Sequence, residues 1–308
     1  MLCLLTYRAL ETAWLTLWAA YLVFWLQKPN GLSKANPVSF LLSRVIQIVQ
    51  FAMMPLPVFL IVVKVTEWSG SYLILVFFLA TSSVEIVVLY LYPRLIKPLT
   101  AKMRPLPEGP LKNEIWRLAE ANGASESMNI LSEDRHDKDL HANASFSWGL
   151  IVVGTSLINN HKEHIDEVVA VISHEIGHWK LRHLQSGLVV DTLYMVVFGA
   201  IFQLGFINNP EFLLAFGFKT ESYFASVGLF VYLFLVTIDI PVRLIMRDLQ
   251  RKNELAADRF SVRAGFGISA KNALIRNYKS NLNILFKSEF DNYCYGSHPT
   301  LQARLAAI

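Results

Sequence analysis

VVAVISHEIGHWKLRH, residues Val168 to His183, places the pattern His-Glu-x-x-His inside a stretch with helical periodicity. Four residues advance the face of an α-helix by only about 40°. His174 and His178 therefore project side by side and can grip one ion through their imidazoles. Glu175, one residue on, points away from that pair toward the place of an activated water, the arrangement for zinc hydrolysis with a carboxylate as general base. Val168, Val169, Val171, Ile172 and Ile176 give the helix an apolar face, and Gly177 leaves room for a close neighbour. The five-residue pattern arises by chance in on the order of one chain in a hundred of this length. A further donor elsewhere in the chain is needed to give it weight.

His183 is the tempting third ligand, but on a continuing helix it lies about 140° around from His178 and cannot reach the same ion unless the helix ends first. It reads as an outer partner of the site or as interfacial. Glu254, in RKNELAADRF (Arg251 to Phe260), opens a second helix-like segment, and Asp258 lies four residues on along the same face. The pair suits a carboxylate ligand backed by an acid that fixes the tautomer of a ligand histidine. His298 and Arg304, in SHPTLQARL near the carboxyl end, could donate to the oxyanion of a tetrahedral intermediate if that segment folds over the ion.

Working outward, 54% hydrophobic residues over 308 positions and a mean hydropathy of +0.39 are too apolar for a soluble globular protein. Residues 10–26, 45–63, 71–92, 188–207 and 222–246 are each about long enough to cross a bilayer as a helix. Residues 10–26 read as an uncleaved first span, since Glu11 interrupts them and no small-residue cleavage site follows. Lys28, Lys34 and Arg44, then Arg94, Lys97, Lys102 and Arg104, then Arg243, Arg247, Arg251 and Lys252 lie at span ends that the positive-inside rule puts together on the cytosolic side. The loop from Asn208 to Glu221 then faces the other compartment. The net charge of +4 is accounted for by this arrangement, so no nucleic-acid partner is expected. Cys3 and Cys294 lack the spacing of a disulfide framework or a cysteine metal site.

The expected organisation is three membrane helices in residues 1–92, a first catalytic part with the histidine motif in 93–183, two more membrane helices in 184–246, and a second catalytic part with the third ligand in 247–308. The two polar parts are short for separate domains and should pack together. PLPEGP (Pro105 to Pro110) reads as a turn leading into a helix with Ile115, Leu118 and Ala119 on its inner face, and Ala144 to Val153 as strand, turn, strand. Glu85, Asp191 and Asp239 sit inside apolar spans, where an ionisable group is costly unless it faces protein or water. The fold class is thus a mainly α, multi-span integral membrane protein: a helical transmembrane bundle with a cytosolic-side zinc metalloprotease domain built from the His-Glu-x-x-His helix and a small β-sheet.

The chain resembles the CAAX prenyl protease 1 family, membrane zinc endopeptidases of the endoplasmic reticulum. The resemblance rests on YPRLIKPLTAKMRPLPEG (Tyr92 to Gly109), LHANASF (Leu140 to Phe146), the extended motif running into GHWK, NELAADRF and SHPTLQARL, all in the family's order. It implies one zinc ion held by His174, His178 and Glu254, Glu175 as base, Asp258 as outer acid, and His298 and Arg304 stabilising the intermediate. It also implies that Asn143 and Ala144 form the strand edge on which an extended substrate pairs. The implied reaction removes the carboxyl-terminal tripeptide from a prenylated Cys-a-a-X protein, a substrate that its lipid brings to the membrane. Departures are a Ser at position 145, where an aromatic is usual, and five readable spans where the family usually has seven.

Competing readings are a general quality-control protease of membrane proteins with the same zinc motifs, a zinc-binding scaffold or transporter, and a zinc-dependent lipid hydrolase. Intact Glu175 argues against a pure binding site, which needs no base, and the strand at Asn143 favours a peptide over an ester substrate.

Overall fold

A computed structural model describes residues 2–29, 36–38, 40–42, 44–45, 55–87, 102–123, 129–134, 144–147, 150–219, 222–280 and 283–308. Met1–Gly70 and Ser71–Ile308 are two compact units. The first holds α1 (Leu2–Tyr21), which runs on as a π-helix over Leu22–Gln27, and α2 (Pro55–Ser69). Trp18, Tyr21 and Trp25 stack along one side, with ring centroids 5.7 and 6.4 Å apart.

In the second unit a 3-10 turn ends at Tyr72 and α3 (Leu73–Ile86) follows. Next come β1 (Lys102–Pro105), α4 (Pro110–Ala121), β2 (Asn129–Asp134), β3 (Ala144–Ser147), β4 (Leu150–Gly154), α5 (Thr155–Asn160) and α6 (Ile165–Lys180). The apolar α7 (His183–Phe202) extends as a π-helix to Ile207, and the short α8 (Pro210–Ala215) leads to α9 (Tyr223–Thr237). The chain closes with α10 (Asp239–Ser261), α11 (Gly267–Ser280), α12 (Glu289–Tyr295) and α13 (Leu301–Ala307).

Phe59–Ile86 and His183–Ile207 are long and apolar enough to cross a membrane, and Tyr223–Phe234 with the helix from Asp239 makes a third candidate bent by 51°. Four of the expected spans therefore change outline. Residues 10–26 fall in an apolar helix of only Thr12–Leu26, and span two overlaps residues 46–54, which lie outside the described residues. Spans two and three, expected as separate helices, run together over Phe59–Ile86, with a 3-10 turn at Gly70–Tyr72 between α2 and α3. The expected fifth span is broken. The break lies between Phe234 and Asp239, and Pro241, in the first turn of α10, has no N–H to give the Thr237 carbonyl across it.

Helix α7 shows how an all-apolar helix sorts its faces. Phe198, Phe202 and Phe206, four apart, pack on Phe230 and Phe234 of α9, with centroids 4.6–5.1 Å apart for the closest pairs. Phe77 of α3 fits against Gly199, where a Cβ would stand 3.2 Å from its ring. Val189, Leu193, Val197 and Leu204 are left exposed, a stripe suited to lipid tails. Two of the three polar intramembrane positions find partners here: Thr192 donates to Glu85 at 3.1 Å, and Tyr194 donates to Asp239 at 3.2 Å.

The polar parts share one core. The strands form a sheet in the order β1-β2-β4-β3, with β2 and β4 parallel and the other pairs antiparallel. β4, Leu-Ile-Val-Val-Gly, is buried throughout because strands flank it and helix α6 covers it. Val168, Val169, Ile172 and Ile176 of α6 meet Ile151 and Val153, and Ile115, Leu118 and Ala119 of α4 close the same core as expected.

A candidate metal centre between two helices

Helix α6 is fixed by its own sequence. Asp166 and Glu167 in the first turn and His178 and Lys180 in the last complement the helix dipole. The helix ends at Lys180 because Arg182 takes a left-handed conformation, φ 57°, the only non-glycine residue with positive φ among those described. Helix α10 crosses α6 closely: the site for a Cβ on Gly177 stands 3.1 Å from the Phe260 ring, and Ser261 donates to the Ala170 carbonyl at 3.2 Å. Glu167 is buried at the far end, where it accepts from Arg276 (2.8 and 3.2 Å) and pairs with the buried His161 at 2.6 Å. Burial alone would raise the Glu167 carboxyl, but these hydrogen bonds outweigh it and hold it below its usual range. The two polar parts pack together through these contacts.

This packing brings three donor groups to one point. His174 Nε2 lies 3.0 Å from His178 Nε2 and 3.5 Å from Glu254 Oε2, and His178 Nε2 lies 3.4 Å from Glu254 Oε1. Donors around a tetrahedral zinc ion, each about 2.0–2.1 Å from it, stand about 3.3 Å from one another. Two imidazoles and one carboxylate at this spacing fit such an ion. The electrostatics ask for a cation as well. Burial would lower His174, but hydrogen bonds with Asp258 and Glu254 overcome that and push it up to about 9. Burial would raise Glu254, yet bonds from His174, His178 and His298 drive it far below the usual carboxylate range.

Asp258, one turn beyond Glu254, accepts from His174 Nδ1 at 2.9 Å and is held by Arg304 through two bonds of 2.8 and 2.6 Å. Arg304 Nη1 is also 3.7 Å from Glu254. Its guanidinium thus braces Asp258, a contact not legible in the sequence. His298, largely exposed, sits 3.0 Å from Glu254 Oε2 through Nδ1. Glu175 is raised by burial, the largest cause, with Glu254 adding to it against His174 and His178. Ala144 opens β3, one of the two edge strands of the described sheet, and β3 packs on α6. Asn143 lies outside the described residues.

Two supporting residues escaped sequence reasoning. Arg251, taken only as a marker of orientation, is buried and donates to the Asn292, Tyr293 and Gly296 carbonyls, fixing the loop that carries His298. Thr300 caps α13, accepting from Ala303 N at 3.2 Å, and so aims Arg304. The pattern Thr-x-x-Ala-Arg would have suggested that cap; nothing local signals the role of Arg251.

A membrane-embedded helical protein with a His-Glu-x-x-His helix facing a carboxylate helix defines a membrane metalloendopeptidase. The chain belongs to peptidase family M48, whose model matches residues 105–308, while the model described as "CAAX prenyl protease N-terminal, five membrane helices" matches residues 1–102. Curated relatives include a CAAX prenyl protease 1 homolog of Dictyostelium discoideum, 29% identical over 92% of this chain and 67% of its own length. The human homolog is 25% identical over 94% and 69%, and CAAX prenyl protease 1 of Saccharomyces cerevisiae is 28% identical over 73% and 53%. The crystal structure of S. mikatae Ste24p shares the fold, with a TM-score of 0.75 at 24% identity, covering 98% of this chain and 73% of that one.

Proposed function

We propose that the protein is a zinc-dependent endopeptidase that removes the carboxyl-terminal tripeptide from prenylated CAAX proteins at a membrane, with His174, His178 and Glu254 as ligands. The observation that carries it is the set of three donor groups 3.0–3.5 Å apart, with the buried Glu175 interacting electrostatically with all three. A bound zinc ion would supply Lewis acidity toward the scissile carbonyl and an acidified water. Glu175 takes the proton of the attacking water as the C–O bond forms, then delivers it to the leaving amine as the C–N bond breaks. Its burial strengthens it as a base. His298 reaches the intermediate from the exposed side as a hydrogen-bond donor, with Arg304 adding positive charge behind Glu254. Asn143 and Ala144 align the substrate main chain on the β3 edge, which leaves the side chains of the tripeptide loosely read. Asp258 holds the His174 ring. The enzyme resides in the endoplasmic reticulum membrane with this site toward the cytosol, as the clustered basic span ends support.

The test is release of the tripeptide from a farnesylated Cys-a-a-X peptide, followed by mass spectrometry against the unprenylated peptide. Release confined to the lipidated peptide supports the proposal. Release from neither, with zinc bound, would leave a general membrane quality-control protease, to be assayed on an unfolded protein.

A further inference from the structure

His183 offers no atom to the candidate metal centre, yet it stands directly behind one of the proposed ligands. Its Nδ1 lies 2.9 Å from His178 Nδ1, with the rings edge to face at 74°. The other nitrogen of His178, Nε2, faces His174 and Glu254 at 3.0 and 3.4 Å. The two nitrogens of this ring therefore have separate tasks. On a continuous helix His183 would point about 140° away from His178. It returns because Arg182, itself exposed, adopts the left-handed conformation that ends α6 and starts α7. A left-handed non-glycine residue is strained and persists where its surroundings demand it.

We propose that His183 is the positioning residue for His178: it accepts a hydrogen bond from His178 Nδ1–H and so fixes the tautomer that presents Nε2 to the metal. This rests on the ligand set proposed above. The two ligand histidines are then oriented by unlike partners. His174 has the carboxylate of Asp258, braced by Arg304. His178 has a neutral imidazole, which orients the ring without adding a further anion to a site that already holds Glu175, Glu254 and Asp258. His183 is also the first residue of α7, a helix apolar enough to span the membrane, so the bond ties a metal ligand to the membrane part of the fold.

The experiment compares His183→Leu, which fills similar volume without an acceptor, with His183→Asn, whose Oδ1 can accept as the ring nitrogen does. Zinc affinity of the purified full chain is measured by competition with a chromophoric chelator, and the visible spectrum of the cobalt-substituted protein reports ligand geometry. The expected result is zinc binding about 10- to 100-fold weaker in His183→Leu with an altered cobalt spectrum, and affinity within about threefold of the parent in His183→Asn. Unchanged affinity and spectrum in His183→Leu would overturn the proposal, as would equal losses in both variants, which indicate a packing role alone. His178→Ala and Glu254→Ala, run alongside, must abolish tight zinc binding; retention there would overturn the ligand set itself.

Discussion

Glu175 and Glu254 are both carboxylates that feel the same two histidines, and their surroundings give them opposite tasks. Glu254 is held ionised by the histidines around it and suits a ligand, whereas Glu175 is raised by burial and suited to take a proton. Replacing Glu175 with Gln should lower tripeptide release by at least about 10²-fold while zinc content stays near one per chain, measured by mass spectrometry and atomic absorption. Loss of zinc in that variant would mean that Glu175 holds the site together instead. Asp258→Asn should weaken zinc about 10- to 100-fold, because a neutral amide oxygen accepts from His174 Nδ1 more weakly than a carboxylate and removes the charge that holds Arg304 in place. At this scale much was legible. His174, Glu175, His178, Glu254 and Asp258 were all singled out by spacing, and helical geometry also ranked His183 below Glu254 as a ligand. The bracing of Asp258 by Arg304 and the burial of Arg251 were not legible, since each joins residues more than forty positions apart.

The central element pair is α6 against α10, and Gly177 sets its spacing. Gly177→Val should force Phe260 aside, part the two ligand helices, lower stability by about 1–3 kcal/mol and weaken zinc binding. Phe260→Ala in the same chain should restore part of both, as read by thermal unfolding and chelator competition. The far end of α6 depends on the Glu167, Arg276 and His161 cluster. Because the Glu167 carboxyl is held below its ordinary value near 4.5, its contribution is fully present above that pH and is lost as pH falls through the lower folded value. Glu167→Gln should therefore destabilise the protein at neutral pH by about 3 kcal/mol, with the gap to the parent narrowing in acid. An unchanged gap down to pH 3 would show that the pair does not carry this linkage. Element type followed periodicity well for α4, α6, β3 and β4. Span ends did not, because a break between Phe234 and Asp239 and a 3-10 turn at 70–72 interrupt or join apolar runs that hydropathy treats as uniform.

For the whole molecule, the loop 208–221 and the segment carrying His298 should lie on opposite sides of the membrane. Cysteines placed one at a time at Lys219 and Ser288, in a background with Cys3 and Cys294 replaced, should separate in sealed microsomes. Position 288 should react with a membrane-impermeant maleimide from the cytosolic side, and position 219 only after the membrane is opened. Labelling of both from one side would refute the orientation drawn from basic residues. What the sequence determined by itself is what local periodicity and composition encode: an apolar, membrane-embedded chain, a helix with two histidines on one face, a second helix offering two carboxylates, and a short strand pair beside them. Tertiary structure alone decided how these meet. The left-handed turn at Arg182 that folds His183 back onto His178 is local in the chain, yet helical periodicity gives no sign of it. The close crossing at Gly177 and the brace from Arg304 to Asp258 depend on contacts between distant segments. Such contacts form only when a shared core buries both polar parts at once, and no window of sequence contains both partners.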